Sequence, residues 1–484
     1  MQIQKYSIRG CVVYPHSSSL IFFFIFWCHW LLAQNVGIGT SSPTATLHVN
    51  GTFRLSNGSE GTGKVLTSDA TGKANRVTLP SSVPGGEENV SGYGDWLGCE
   101  AENLTAYQPI VGNQQQSFFG YQTAMNEQFA FVSAPTYDTM GIENAGIVVV
   151  YELMGNSWVE KQRLMDPYPE SGNNFGNALA CDNFTLVVGS PYDKVEDKNF
   201  AGSICIFTYN GSSWEFVERD SMNIPATGAI FGNSIDVKGD YLVVGAPNYG
   251  TVGRAFVYFK NGTDWQYLMD IVNPAGSEGD NFGGAVAISD NAVAIGASGF
   301  SQDSLHCGSV FTYIKISGSF FFGQQLFPDH YHFIRQNNAN FGKYVDLDGD
   351  NLIVGVPRFK RYQRVIGAVA YYTFNGSAFV FNSAIYNDTD ADPGGFEFTS
   401  LSGPYCFVAA PNNRVPGRGE QGKTYLYKMS AYGGTKIAEI IDPTGEFRTG
   451  NGMIALNHVT KRFVMGNSTI YTLRGKVVFG RIKI

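Results

Sequence analysis

Five times in this chain a Phe-Gly pair is followed, fourteen residues after the Phe, by a short triplet of small residues, most often ending in Pro. The pairs are Phe119-Gly120, Phe175-Gly176, Phe231-Gly232, Phe282-Gly283 and Phe341-Gly342. The triplets are Ser133-Ala134-Pro135, Gly189-Ser190-Pro191, Gly245-Ala246-Pro247, Gly296-Ala297-Ser298 and Gly355-Val356-Pro357. The copies stand 51 to 59 residues apart. An internal period of that size restricts the chain to an array of like supersecondary units, none of which can bury its own apolar face alone.

Two degenerate copies extend the series, Phe396-Glu397 with Ala409-Ala410-Pro411 and Asn451-Gly452 with Gly466-Asn467-Ser468. A third marker, a Gly that opens an apolar run, recurs at Gly146, Gly202, Gly253, Gly308, Gly367, Gly422 and Gly475, which makes seven units. Each unit divides into four strand-length pieces; in the third they are 232–237, 241–245, 254–259 and 265–271. The last piece carries an aromatic anchor, as at Trp158, Trp214, Trp265 and Phe379. Composition agrees: 58 Gly, 36 Phe and 26 Tyr with only 15% charged residues suit short strands and tight turns. Stacking four-stranded sheets radially buries both faces of each, so the expected fold is all-β, a seven-bladed β-propeller of four-stranded blades. The seventh unit stops after its third piece, and an orphan piece at 103–107 precedes the first Phe-Gly. The expectation is therefore a ring closed by that N-terminal strand, with a small extended β module before it.

The expected boundaries are a signal peptide at 1–33, a β module at 34–80, a linker at 81–100 and the propeller at 101–484. Lys5 and Arg9 precede an apolar run from Leu20 to Ala33. As a helix that run spans about 21 Å, short of the ~30 Å hydrocarbon core, so it reads as a secretory signal cleaved after Ala33. Turn formers without periodicity mark 81–100 as linker. A net charge of −8 speaks against nucleic-acid binding. The five Cys beyond the signal, Cys99, Cys181, Cys205, Cys307 and Cys406, show neither disulfide nor metal spacing. His330 and His332 lack a third ligand nearby and read as a loop.

The Phe-Gly…Gly-Ala-Pro phrase resembles the FG-GAP repeat of the integrin α-chain seven-bladed propeller. The calcium-binding version has a longer interval and an acidic loop between its first two strands. The interval of 14 here resembles the short, calcium-free variety of secreted bacterial proteins. In the fifth unit Asp346-Leu347-Asp348-Gly349-Asp350 is the one acidic cluster in such a turn, and it reads as a strand edge and tight turn rather than a cation loop. The stretch from Asn35-Val36-Gly37-Ile38-Gly39-Thr40 to Leu47-His48-Val49-Asn50-Gly51 resembles a VGIGT-type β module of secreted bacterial proteins and fibre shafts. That likeness implies surface exposure and self-association through 34–80.

Alternation of strands puts the loop after each triplet and the connection into each Phe-Gly on one face, and these variable loops are the expected recognition surface. Candidate ligand-binding residues are Tyr137, Asp138, Tyr192, Asp193, Tyr249, Arg358, Phe359, Arg361 and Tyr362. Aromatic rings beside Asp or Asn suit glycans or peptides, and Arg358 to Arg364 is the only strongly basic stretch. The integrin resemblance points to the same face. No G-x-S-x-G, H-E-x-x-H or sialidase box is present, so no catalytic residue, metal or cofactor is assigned. The expected role is a secreted or cell-surface binding or adhesion protein for an extracellular protein or glycan. The alternatives are the structural head of an oligomeric surface fibre and, after that, a carbohydrate-active propeller enzyme.

Overall fold

The computed structural model describes residues 117–482 apart from 303, 329–334, 362–363, 388–395, 412–413, 416–418, 421, 431–432, 441–453, 458, 460–461 and 469–474. It also describes strands at 36–38, 47–49, 64–68, 74–78 and 104–111. The sequence readings at 1–33 and 81–100, and those of Cys99, His330, His332 and Tyr362, lie outside the described residues.

The chain divides into two units, 1–88 and 89–484. In the first, Val36–Ile38 pairs in parallel with Leu47–Val49, and Lys64–Ser68 pairs antiparallel with Ala74–Thr78.

The second unit is built from four-stranded antiparallel sheets. Six of them are self-contained blades, each made from strands in chain order and covering 123–164, 178–220, 234–272, 282–326, 344–386 and 398–440. Self-contained blades thus number six, one fewer than the seven repeat units counted in the sequence. The chain supplies only three strands after 453, Ile454–Asn457, Arg462–Ser468 and Gly475–Ile482, and their sheet is shared with Leu104–Val111 from the far end of the unit. Val477 stands opposite Ile110 and Phe479 opposite Gln108 in that register. The shared strand has eight residues and ends at Val111, whereas the sequence suggested only 103–107. Side by side, the first strands of the sheets run around an axis, each next to the one before, and Ile454–Asn457 next to Thr123–Met125.

The boundaries of the third blade, Ser234–Lys238, Tyr241–Ala246, Arg254–Asn261 and Asp264–Val272, differ from the sequence expectation mainly at the start. Gly232 belongs to the turn before the strand, because its φ of 85° is left-handed. From there its N–H donates to the Gly245 carbonyl at 3.1 Å, and the same Gly-to-Gly bond joins Gly176 to Gly189 and Gly342 to Gly355. A Cβ on Gly245 would collide with the carbonyl oxygen of Gly283 in the next blade, and one on Gly466 with that of Gly120. The glycines of the repeated phrase are therefore the points where neighbouring sheets touch through backbone.

Phe175, Phe231, Phe282 and Phe341 are fully buried. Each donates its backbone N–H to the preceding blade, to the carbonyls of Ala145, Ala201, Val252 and Cys307. Between the third and fourth strands a β-bulge falls at the same place in all six self-contained blades. Just beyond it Gln162, Glu218 and Gln324 reach the fourth strand of the following blade at Trp214, Trp265 and Phe379. Core clusters accordingly lie between blades: Phe231, Tyr258 and Trp265 pack with Ala180 and Val187 of the blade before.

Candidate functional site

The axis is open. A cavity of about 510 Å³ is lined by the first strands of every sheet, and a second of about 670 Å³ shares Met125, Cys181, Asp236, Asp346 and Leu456 with it. The shared residues make the two cavities successive lengths of one axial channel.

At one end stand the residues that follow each Phe-Gly: Tyr121, Asn177, Asn233, Gly284, Lys343 and, two places after Phe396, Phe398. Strand alternation puts this end on the face of the variable loops. Pairing of Gly146 with Phe175, Gly253 with Phe282 and Gly308 with Phe341 places the two kinds of loop together there. Tyr344 and Phe398 hold their rings 5.1 Å apart at a tilt of 51°, and Tyr121 is 41% exposed. Among the described residues, the side chains of Tyr121, Gln122, Asn177, Lys343 and Tyr344 find no hydrogen-bond partner, although all five line the cavity. Desolvation first, and then Tyr192, raises the Tyr121 phenol above its ordinary value; desolvation, then Glu397 and Tyr121, does the same for Tyr344. The mouth is thus a ring of aromatic rings, amides and one ammonium group.

The opposite end is acidic. Asp236 and Asp346 face the channel, and each accepts a backbone N–H from the following blade, of Ile288 and of Leu401, both at 2.7 Å. Nearer solvent, Asp182 accepts the N–H of Gly239 at 2.9 Å and Asp348 that of Gly403 at 2.6 Å. Burial pushes the Asp346 carboxyl up to about 7, against the lowering effect of the Leu401 bond. Asp236 is raised well above the usual carboxylate range by burial first and by Asp346 second. Asp350, the last acid of the fifth-unit turn, accepts from Asn291 at 3.0 Å. The carboxylates of that turn therefore meet N–H groups of neighbouring blades. Among the described residues no group of three or more His, Cys, Asp or Glu could hold a metal ion. Cys205, Cys307 and Cys406 are buried and Cys181 is half-buried in the channel wall.

The loop residues singled out in the sequence are dispersed over the face. Tyr137 is half-buried against the cluster around Trp158, and Asp138 accepts the N–H of Asn144 at 3.0 Å. Tyr192 is 40% exposed and meets Phe200 edge-on at 6.0 Å. Asp193 is fully buried, accepting from Ser203 at 2.5 Å and paired with Arg219. Tyr249 lies half-buried between Phe256 and the guanidinium of Arg254, 4.8 Å from its ring. Phe359 is buried, whereas Arg358 and Arg361 are exposed. Lys360–Arg361 pairs with Arg364–Val365 as a small ribbon, which Gln336 fastens through both the N–H and the carbonyl of Lys360. None of these residues lines the axial cavity, although Tyr192 is near enough to raise the phenol of Tyr121, which does. Sequence reasoning passed over the mouth itself. The usable signal was position, since one residue after each Phe-Gly must face the axis, whatever its type.

A family model for the FG-GAP repeat matches residues 265–313, a span holding Phe282-Gly283 and Gly296-Ala297-Ser298. No curated protein matches the chain. Among solved structures, the chain is similar to the beta-propeller domain of the Trilobed protease from Pyrococcus furiosus. That likeness has 9% identity and a TM-score of 0.44, and covers 75% of this chain and 97% of the other. The repeat match and the radial four-stranded sheets together identify the chain as an FG-GAP-repeat-containing β-propeller.

Proposed function

We propose that this propeller is a binding module, secreted or held at a cell surface, which takes an extracellular protein or glycan on the face that carries the variable loops and the axial mouth. The observation that supports it is the convergence of Tyr121, Gln122, Asn177, Lys343 and Tyr344 on one cavity with their polar groups unused within the described protein. A polar group left without a partner is costly when shielded and available when a ligand arrives. Outside the mouth, Asp193 and Gln336 are committed to holding loops, through Arg219 and Lys360. On this reading the protein acts by recognition rather than catalysis, and without calcium, because the fifth-unit carboxylates are engaged between blades.

A glycan and protein array with the full chain, run with and without EDTA, tests it. A ligand retained in EDTA and weakened by Tyr121→Ala or Tyr344→Ala is the expected result. Binding that disappears with EDTA would overturn calcium independence, and hydrolysis of an arrayed glycan would overturn recognition without catalysis. A second reading, a fibre head assembled through 34–80, predicts a stable oligomer in light scattering whose size does not depend on ligand.

A further inference from the structure

Three properties of the axial mouth narrow its ligand. The cavity of about 510 Å³ lies within the range of small-ligand pockets. A docked protein needs roughly 800 Å² of its own surface buried, which a mouth this narrow cannot offer by itself. Its walls alternate flat and polar groups: the tilted Tyr344–Phe398 pair and the exposed Tyr121 ring stand among the amides of Gln122 and Asn177. Sugar rings present the matching surfaces, an apolar C–H face for an aromatic ring and equatorial hydroxyls that both donate and accept, as amides do. Finally, Lys343 puts an exposed ammonium into this ring of otherwise uncharged positions, and among the described residues it has no carboxylate partner.

From this arrangement we propose that the axial mouth is a saccharide site that takes a uronic acid unit end-on. One sugar face lies against Tyr344 and Phe398, the hydroxyls bond Gln122 and Asn177, and the carboxylate sits on Lys343. The ammonium of Lys343 stands at the mouth and the carboxyls of Asp236 and Asp346 stand deeper, so the charged end of the ligand is held at the mouth. The inference deepens the proposal that the propeller is a binding module and rests on it.

The test uses the full chain in calorimetric titrations with disaccharides of galacturonate, glucuronate and mannuronate, each beside its neutral counterpart, and with an acidic peptide as a further probe. At least one uronate is expected to bind more tightly than its neutral counterpart. Lys343→Met should weaken that binding about tenfold or more and remove the preference over the neutral sugar, the size of one charge-assisted hydrogen bond. Lys343→Glu should abolish it, and Tyr344→Leu should weaken uronate and neutral sugar alike. Lys161→Ala, on the outermost strand of the first blade, should change nothing. Lys343 is exposed, so its variants are expected to keep the wild-type melting temperature, and both charge variants are read against it. Uronate binding indifferent to both Lys343 variants, or binding of the acidic peptide but of no uronate, would overturn the inference. If the array yields a ligand whose binding ignores Lys343 and Tyr344, the binding-module reading stands and the uronate site falls. If nothing binds the chain at all, both fall.

Discussion

Asn173 donates from Nδ2 to Oδ2 of Asp166 at 3.1 Å, with both side chains buried in the connection that enters the second blade. In the connection to the fourth blade the same bond has the same length with its residues exchanged: Asn273 donates to Asp280 at 3.1 Å. Asn173 and Asp280 each stand two residues before the Phe of Phe-Gly. In the connection to the third blade the two places hold Met222 and Ala229, both buried. The position thus accepts a matched pair, polar with polar or apolar with apolar.

The exchange gives the first prediction. Asn173→Asp should set two buried carboxyls against each other and cost about 2 kcal/mol or more. Adding Asp166→Asn, which restores the pair in the orientation of Asn273 and Asp280, should recover at least half of that loss. Denaturant unfolding of the two single variants and the double variant measures the coupling.

A second prediction concerns the clasps between fourth strands. Gln324 accepts the N–H of Phe379 at 2.9 Å and donates to its carbonyl at 3.0 Å, and Gln162 does the same to Trp214 at 2.8 Å in both directions. Glu218, in the equivalent place, only accepts from Trp265, at 2.9 Å. Glu218→Gln should supply the missing donor and stabilise the protein by about 1 kcal/mol. The reverse change, Gln324→Glu, should destabilise by a similar amount in thermal melts.

The third prediction is a pH dependence. Burial raises the Asp346 carboxyl to about 7, above its unfolded value near 4, so the folded protein binds this proton more tightly than the unfolded chain does. Its contribution to stability is fully present below the unfolded pKa and is lost as pH rises through about 7. The slope is at most about 1.4 kcal/mol per pH unit for one proton. Asp346→Asn keeps an oxygen for the Leu401 N–H, so the variant should melt higher than wild type at pH 8 and nearer to it at pH 5. Equal differences at the two pH values would refute the assignment.

The fourth separates two uses of glycine. Gly245→Ala should cost about 3 kcal/mol, since the added methyl meets the Gly283 carbonyl and Ser234 in a contact that cannot open. Gly239, at φ 58° with open space around it, should lose only about 1 kcal/mol as Ala, the cost of a left-handed backbone. Melting temperatures of both variants decide between packing and conformational preference.

The same distinction explains which features were legible in the sequence. Phe-Gly and the triplet glycines were legible because backbone contact between blades tolerates one residue type, which leaves a repeated mark. The turn from Asp346 to Asp350 was legible as a turn, but its carboxylates find Leu401 and Gly403 more than fifty residues on, and no local pattern encodes that. Asp193 looked like an exposed residue because its neighbour Tyr192 is exposed; Arg219, which pairs with it, is distant in sequence. Members of the axial mouth share neither residue type nor neighbourhood, only their place after Phe-Gly, and radial convergence alone makes them a group.

The pairing of Leu104–Val111 with Gly475–Ile482 also sets a timetable. During synthesis the first of these strands leaves the ribosome some 365 residues ahead of its partner. At ~5–20 residues per second it waits roughly 20 to 70 s with its hydrogen-bonding edge unclaimed. Until then every finished blade offers the next a bare sheet, so the growing array has one sticky end at all times, and a chaperone that covers a strand edge has the most to contribute in that interval.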